Sequence, residues 1–362
     1  MRALKVYWHI LRSLGTALQA GRQADQIFRY YVIATLEELG VFQFLKETKE
    51  YGEILAKFGF TDNEYTKEVM GTLVNDSHNV IAEDSGKYLV NSEESLPSLD
   101  AVLERTTPQI RQFVLLAEGM TGNILRRMRE DFIDFSDTFE EDDQQLLKKF
   151  NTVLNYKVYS SMRTAAFSYL KRKDREWLTG KELLDIGCGA GRETAELWAK
   201  FDGDISITAI DPVSSLIALA QEQFEPILKE INPDHAPLTE SNRPVFREAT
   251  AMNIPYENDS FDAAFFLFVL HWTADPRKVV EEMIRVVKPG GLMFGAQPFK
   301  PTVNPYFNLV IRSNRNSFGF FWKEEFERWF SNVGVDVEVG TMAGMFFARN
   351  NKHLKRELAG TS

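Results

Sequence analysis

Gly187, Gly189 and Gly191 stand at alternate positions in LLDIGCGAGRETAEL, residues 183–197, between an apolar run and a helix-forming stretch. Glycine strips side chains from the point where a strand turns into a helix, so a ligand can approach the backbone and the helix amino terminus. A nucleotide suits such a place. Asp211 closes the next apolar run, ISITAID, where a carboxylate can accept both hydroxyls of a ribose. The dinucleotide fingerprint requires a further glycine at position 192, which is Arg. The Gly-x-Gly-x-Gly spacing therefore favours an adenosine ligand without a pyrophosphate over NAD. His271, in FVLHWTADP, is the third chemical landmark, because an imidazole of ordinary pKa ~6.5 can take a proton from a hydroxyl near neutrality. Its alternative is to pack or to make a structural hydrogen bond, and both readings stand. Cys188 reads as a small packing residue, and Arg192 as either a partner for a ligand carboxylate or a surface cation.

These residues need a frame. From Lys181 onward, KELLDIG, ISITAID, PVFREAT, FDAAFFLF and GGLMFGAQ alternate with helical or loop segments. That alternation predicts parallel strands with right-handed crossovers, an α/β doubly wound Rossmann-like sheet. VDVEVG and MFFARN add an antiparallel C-terminal hairpin. This second domain is expected over 176–362. Residues 1–175 form a mainly helical first domain: short helices over 24–76, then VIAEDSGKYLVN as a hairpin with Gly86 at the turn, together a winged helix. Residues 98–175 read as helical, with the acidic FEEDDQQ as a solvated helix start. At the amino terminus Leu4, Tyr7, Trp8, Leu11, Leu14 and Leu18 recur at helical spacing, which predicts an amphipathic helix rather than a signal peptide.

A chain of 362 residues with 44% apolar and 26% charged residues has enough material for two cores. A net charge of −10 argues against a nucleic-acid partner, whose phosphates must be met by many Lys and Arg. The single cysteine excludes a disulfide framework and a cysteine-cluster metal site, so no metal is expected, and it fits a reducing, cytoplasmic location. No run reaches the ~18 apolar residues of an integral membrane segment.

Residues 181–297 resemble the class I S-adenosylmethionine-dependent methyltransferases. LLDIGCGAGRETAEL is similar to their first motif, ITAIDPVSSLIALA to the second, ATAMNIPYENDSFDAAFFLFVLHW to the third and fourth, and VVEEMIRVVKPGGLMF to the following strand. The resemblance implies S-adenosyl-L-methionine as cofactor, with Asp185 and the Gly187–Gly191 loop, Cys188 and Arg192 included, at its methionine part. It implies Asp211 at the ribose and Ala251 and Met252 at the adenine, with Pro212 and Phe268 also among the cofactor-binding residues. Thr250 stands where the family often has an acid for the adenine amino group, a departure that leaves that contact to another residue. The first domain resembles the dimerisation domain of small-molecule O-methyltransferases, which implies a homodimer and His271 as general base. Trp272, Phe299, Tyr306, Phe321 and Trp322 are the residues expected to line a small, largely apolar acceptor, with Tyr156, Tyr159 and Met162 available to cover the cofactor. Methyl transfer to a hydroxyl oxygen is the first expectation. Carbon methylation of a quinone-like or lipid acceptor, and a catalytically silent partner subunit, are the alternatives.

Overall fold

The computed structural model describes residues 22–91, 98–107, 111–131, 157–340 and 344–351. The expected amino-terminal amphipathic helix, the FEEDDQQ cluster and Tyr156 lie outside the described residues. The contacts resolve into two units, an α/β unit built from Lys157–Thr302 with the described residues from Phe320 onward, and a helical unit that takes in Val303–Gly319.

The α/β unit is organised on seven strands: β4 (Glu182–Ile186), β5 (Ser206–Asp211), β6 (Val245–Glu248), β7 (Phe261–Leu267), β8 (Val287–Ala296), β9 (Val337–Val339) and β10 (Met345–Arg349). Their order is β6-β5-β4-β7-β8-β10-β9. The first five run parallel, and β10 pairs antiparallel with both β8 and β9. This is the expected sheet with its C-terminal hairpin. Parallel strands are covered on both faces, so they carry near-continuous apolar runs, and successive residues feed opposite cores. Leu184, Ile186, Ala264 and Phe266 join one buried layer, while Leu183, Ala263 and Phe265 join the other. After β4 the chain builds β5 and β6 to one side and then returns to lay β7 on the other. A sheet of this type binds ligands where the strand order reverses, at the carboxyl ends, here between β4 and β7.

In the helical unit, helices over 22–38, Tyr51–Phe58 and Asn63–Val74 precede a hairpin of β2 (Ile81–Asp84) and β3 (Lys87–Val90), with β1 (Lys49–Glu50) paired to β3. Ser85 and Gly86 both take positive φ, 52° and 81°, in the two-residue turn. That geometry matches the twist of a tight hairpin, which is why a glycine was needed there. The helix Pro305–Arg312 belongs to this unit although it lies late in the chain. A division at residue 175 does not anticipate it. Tyr306 donates to Asp76 Oδ2 at 2.7 Å, Tyr65 donates to the Leu309 carbonyl at 2.6 Å, and Asn308 donates to Glu68 at 2.8 Å.

Asp76 is the hub of this packing. Arg29 meets its carboxylate with two hydrogen bonds, Nε at 2.7 Å and Nη2 at 2.8 Å, and Asp76, Arg29 and Tyr306 are all buried. Burial alone would raise the Asp76 pKa, but Arg29, the Tyr306 hydroxyl and the His78 amide outweigh it and hold it at about 2, below its ordinary 3.8. Asp76→Asn is expected to lower the unfolding free energy by about 3–5 kcal/mol at pH 7, the cost of leaving a buried guanidinium without its counter-charge. A depressed carboxylate stabilises the fold above its unfolded pKa and ceases to as the pH falls through the folded one. In urea titrations the gap between the two proteins should therefore close as pH drops from about 4 to 2.

Candidate active site at the β4 and β7 strand ends

The three glycines differ in what they do. A Cβ at Gly187 would sit 2.5 Å from Val269 Cγ2, and one at Gly191 would sit 3.0 Å from the Ala220 Cβ and 3.3 Å from Phe246. Those two are glycine because protein, not ligand, fills the space beside them. A Cβ at Gly189 meets nothing within 4 Å, so the turn opens outward there alone. All three have positive φ, between 52° and 82°. The turn's amides are largely committed inward: Gly187 and Cys188 donate to the Ile210 carbonyl, Gly191 to the Cys188 carbonyl, and Gly189 to Asp211 Oδ2 at 3.0 Å. Few backbone donors remain in the turn to cradle a pyrophosphate, in keeping with Arg at position 192.

Asp211 accepts from the Gly189 amide through one oxygen and from the Val213 amide through the other, both at 3.0 Å. Each carboxylate oxygen has further lone pairs, so two ribose hydroxyls can be accepted beside these bonds. Burial raises the Asp211 pKa to about 6, against the two amides that lower it. Asp185, buried at the end of β4, accepts from the Thr194 hydroxyl at 2.6 Å. Burial carries its pKa to about 7, with Glu193 and Asp211 adding to the rise. Cys188 is buried, and burial with the neighbouring carboxylates pushes its thiol well above the ordinary range, so it packs as a thiol. Pro212 lies between Asp211 and the helix Ser214–Ile231.

Arg192, expected at the cofactor's methionine part, is engaged by carboxylates of its own chain. Its Nη1 and Nη2 bond both oxygens of Glu230 at 3.0 Å, and Glu196 lies 3.7 Å away. The charged group missed from the sequence is Arg163, on the helix Lys157–Tyr169. Its side chain is 0% exposed and bonds Glu193 at 3.1 Å and Glu196 at 3.0 Å, which anchors the first turn of the helix that follows the glycines. Met162, on the same helix, is half-buried, whereas the Tyr159 side chain lies outside the described residues.

Thr250 has a local task in place of an acid: its hydroxyl accepts from the Met252 amide at 3.3 Å, and its carbonyl accepts from Asn253. Ala251 is buried and Met252 half-buried beside the core. Phe268, just past β7, is forced to φ 58°, a conformation that costs a bulky residue of order 1–3 kcal/mol and that is found at functional turns.

His271 lies on the short 3-10 turn Leu270–Trp272 and is 4% exposed. Its ring stacks on Phe320, centroids 4.4 Å apart and planes inclined by 20°, while Trp272 is tilted at 5.3 Å. Gln297, immediately after β8 and fully buried, lies against it: Oε1 accepts from the Leu270 amide at 3.2 Å, and Nε2 reaches His271 Nδ1 at 3.2 Å and the Pro298 carbonyl at 3.1 Å. Burial holds the His271 pKa at about 3, and Gln297 offsets only part of that. Burial thus favours the neutral imidazole.

The aromatic residues expected around an acceptor have different surroundings within their own units. Phe299 and Phe321 belong to the buried core with Phe326 and Trp329. Tyr306 is in the helical unit with its hydroxyl given to Asp76. Trp322 is 50% exposed and its amide donates to Glu325 at the start of the helix Lys323–Asn332. Phe320 is the aromatic ring stacked on His271.

Residues 184–295 match the protein-family model described as a methyltransferase domain. The α/β unit is a class I methyltransferase domain. The whole chain is similar in fold to a CurJ carbon methyltransferase, with TM-score 0.67, 15% identity, and 96% of this chain and 98% of that one covered. An O-methyltransferase family protein from Burkholderia thailandensis gives TM-score 0.51 at 15% identity, with 94% of this chain and 96% of that one covered. In sequence, the chain is 29% identical over 168 residues to a demethylmenaquinone methyltransferase of Desulfitobacterium hafniense, covering 44% of this chain and 60% of that protein. It is 24% identical over 217 residues to the one from Listeria welshimeri, covering 57% of this chain and 85% of that protein. The methyltransferase domain takes S-adenosylmethionine as its cofactor, and the residues present fit it: an opening at Gly189, a ribose-competent carboxylate at Asp211 and buried acids that suit a cation.

Two measurements test this geometry. Gly187→Ala should destabilise the fold by about 1–3 kcal/mol through overpacking against Val269. Gly189→Ala should cost only about 1–2 kcal/mol for its left-handed backbone, yet weaken S-adenosylhomocysteine binding at least 10-fold in calorimetry. Raised carboxyl pKa values act in the opposite sense to Asp76: stability is complete below the unfolded value and is lost as the pH rises through the folded one. The ligand-free protein should therefore lose thermal stability between pH 4 and about 7, and Asp185→Asn should flatten that loss.

Proposed function

We propose that the chain methylates a carbon of a small, largely apolar acceptor that enters the site already ionised at a neighbouring oxygen. The carrying observation is His271: a buried imidazole with a pKa near 3 whose Nδ1 lies against Gln297 is a poor base for removing a proton from an ordinary hydroxyl. An acceptor that has lost its proton to water beforehand needs no such base. The sequence relatives named demethylmenaquinone methyltransferases favour carbon, on a quinone-like ring, over the hydroxyl oxygen first expected.

When bound, the cofactor supplies a methyl group on a sulfonium, whose sulfur departs as a neutral thioether. In this reading Asp211 holds the ribose, the Gly189 opening and Asp185 receive the aminoacyl end, Ala251, Met252 and Phe268 border the adenine, and Trp272 stands toward the acceptor. These residues bind and orient, and correct placement alone can contribute roughly 7–11 kcal/mol toward the barrier. The helical unit serves to pair two copies of the chain in the cytoplasm. A second reading, methylation of the ionised oxygen itself, shares every residue and differs in the product.

The test is turnover with methyl-labelled S-adenosylmethionine and a set of acceptors: a naphthol, a 1,3-dicarbonyl compound and a primary alcohol of similar size. Label on carbon with the first two, and none with the alcohol, is expected. His271→Ala should lower turnover about 100-fold, as for loss of acceptor orientation, with cofactor affinity unchanged. Rapid methylation of the alcohol, rising with pH through a pKa near 6.5 that His271→Ala removes, would return the histidine to the role of base.

A further inference from the structure

We propose that Gln297 is a positioning residue that locks His271 as the Nε2–H tautomer, so that the imidazole donates a hydrogen bond to the acceptor's oxygen. The lock follows from three contacts of one buried amide. The Leu270 amide can only donate, so the atom 3.2 Å from it must be the Gln297 oxygen. The Pro298 carbonyl can only accept, so the atom 3.1 Å from it must be the Gln297 nitrogen. Both assignments agree, and they leave the second N–H of that nitrogen directed at His271 Nδ1, 3.2 Å away. An imidazole nitrogen that accepts a hydrogen bond carries no proton. In the neutral ring the proton is therefore on Nε2.

Gln297 cannot turn to release this state. A flipped amide would set NH2 against the Leu270 N–H and oxygen against the Pro298 carbonyl, two repulsive contacts for a fully buried side chain. Phe320 stacked on the ring restrains its rotation. The side chain is held by one amide and one ring, from the segments that follow β8 and precede the helix Lys323–Asn332.

The consequence deepens the proposed carbon methylation and rests on it. A fixed Nε2–H suits an acceptor whose oxygen is anionic or carbonyl-like, such as a phenolate or an enolate. As the acceptor carbon bonds to the methyl group, the carbon–sulfur bond breaks with its electron pair going to sulfur. The acceptor's negative charge is consumed as its C–O bond gains double-bond character. For an aromatic ring the hydrogen on the methylated carbon then leaves to water as a proton. His271 keeps its own proton throughout and orients the oxygen.

Nitrogen-15 NMR of histidine-labelled protein reads the tautomer directly, with the His271 signals assigned by their absence in His271→Asn. Unmodified protein without ligand is expected to show a pyridine-type Nδ1 and a pyrrole-type Nε2. The reverse pattern would overturn the proposal, whether or not any acceptor is methylated. Conversely, this pattern in a protein that methylates no ionised acceptor would leave the lock standing and remove the carbon-methylation reading. Gln297→Glu replaces the donor by an acceptor and should move the proton to Nδ1, inverting the two signals and lowering turnover of a naphthol acceptor about 10- to 100-fold. Gln297→Asn tests rescue, and an unchanged spectrum in Gln297→Glu would also sink the proposal.

Discussion

The site depends on a missing side chain. Val269, two residues past β7, occupies the volume in which a Cβ at residue 187 would lie, so the turn after β4 and the turn after β7 can touch only if residue 187 is glycine. That contact joins the two strands on either side of the point where the sheet order reverses. It brings the glycine turn next to the segment that carries Phe268 and His271. The Asp211 carboxylate completes the arrangement from β5 by holding the Gly189 and Val213 amides, so three strand ends are registered before any ligand arrives.

Around this core two acids are buried. Asp185 and Asp211 have no directly bonded cation among the described residues, and burial keeps both only weakly acidic. A positive group placed beside them favours their ionised forms, which links occupancy of the crevice to their protonation. The arginines nearby are already committed: Arg163 to Glu193 and Glu196, Arg192 to Glu230. A fully buried Arg163 would be costly to leave unpaired, and its two glutamates sit one turn apart on the helix that begins at the glycines. The packing of the helix Lys157–Tyr169 and the first turn of the helix Arg192–Lys200 are thus parts of one electrostatic arrangement.

The helical unit is held together by another arrangement of the same kind, in which Asp76 gathers Arg29 and Tyr306 from segments far apart in the chain. The helix Pro305–Arg312 is apolar enough to enter that unit's core, with Leu309, Val310 and Ile311 all buried. Polar tips on its other residues, Tyr306 and Asn308, meet Asp76 and Glu68. The hydroxyl of Tyr306, one of the residues expected at the acceptor, is thereby engaged by Asp76.

From the sequence alone, the α/β sheet, its hairpin, the strand-to-helix glycine turn, Asp211 and the position of His271 were all readable. Each is written locally, in alternating apolar periods, in the φ demands of glycine and in the order of strands along the chain. Those signals specify which elements form and which strand ends share an edge. They do not specify which side chain meets which across the fold. Arg192 turning to Glu230, Arg163 filling a buried place, Tyr306 joining Asp76 and Gln297 reaching the His271 ring were decided by tertiary packing, because a hydrogen bond between distant residues leaves no period in the sequence. For His271 the residue type allowed a base or a donor, and only the amide beside it selects the nitrogen that carries the proton.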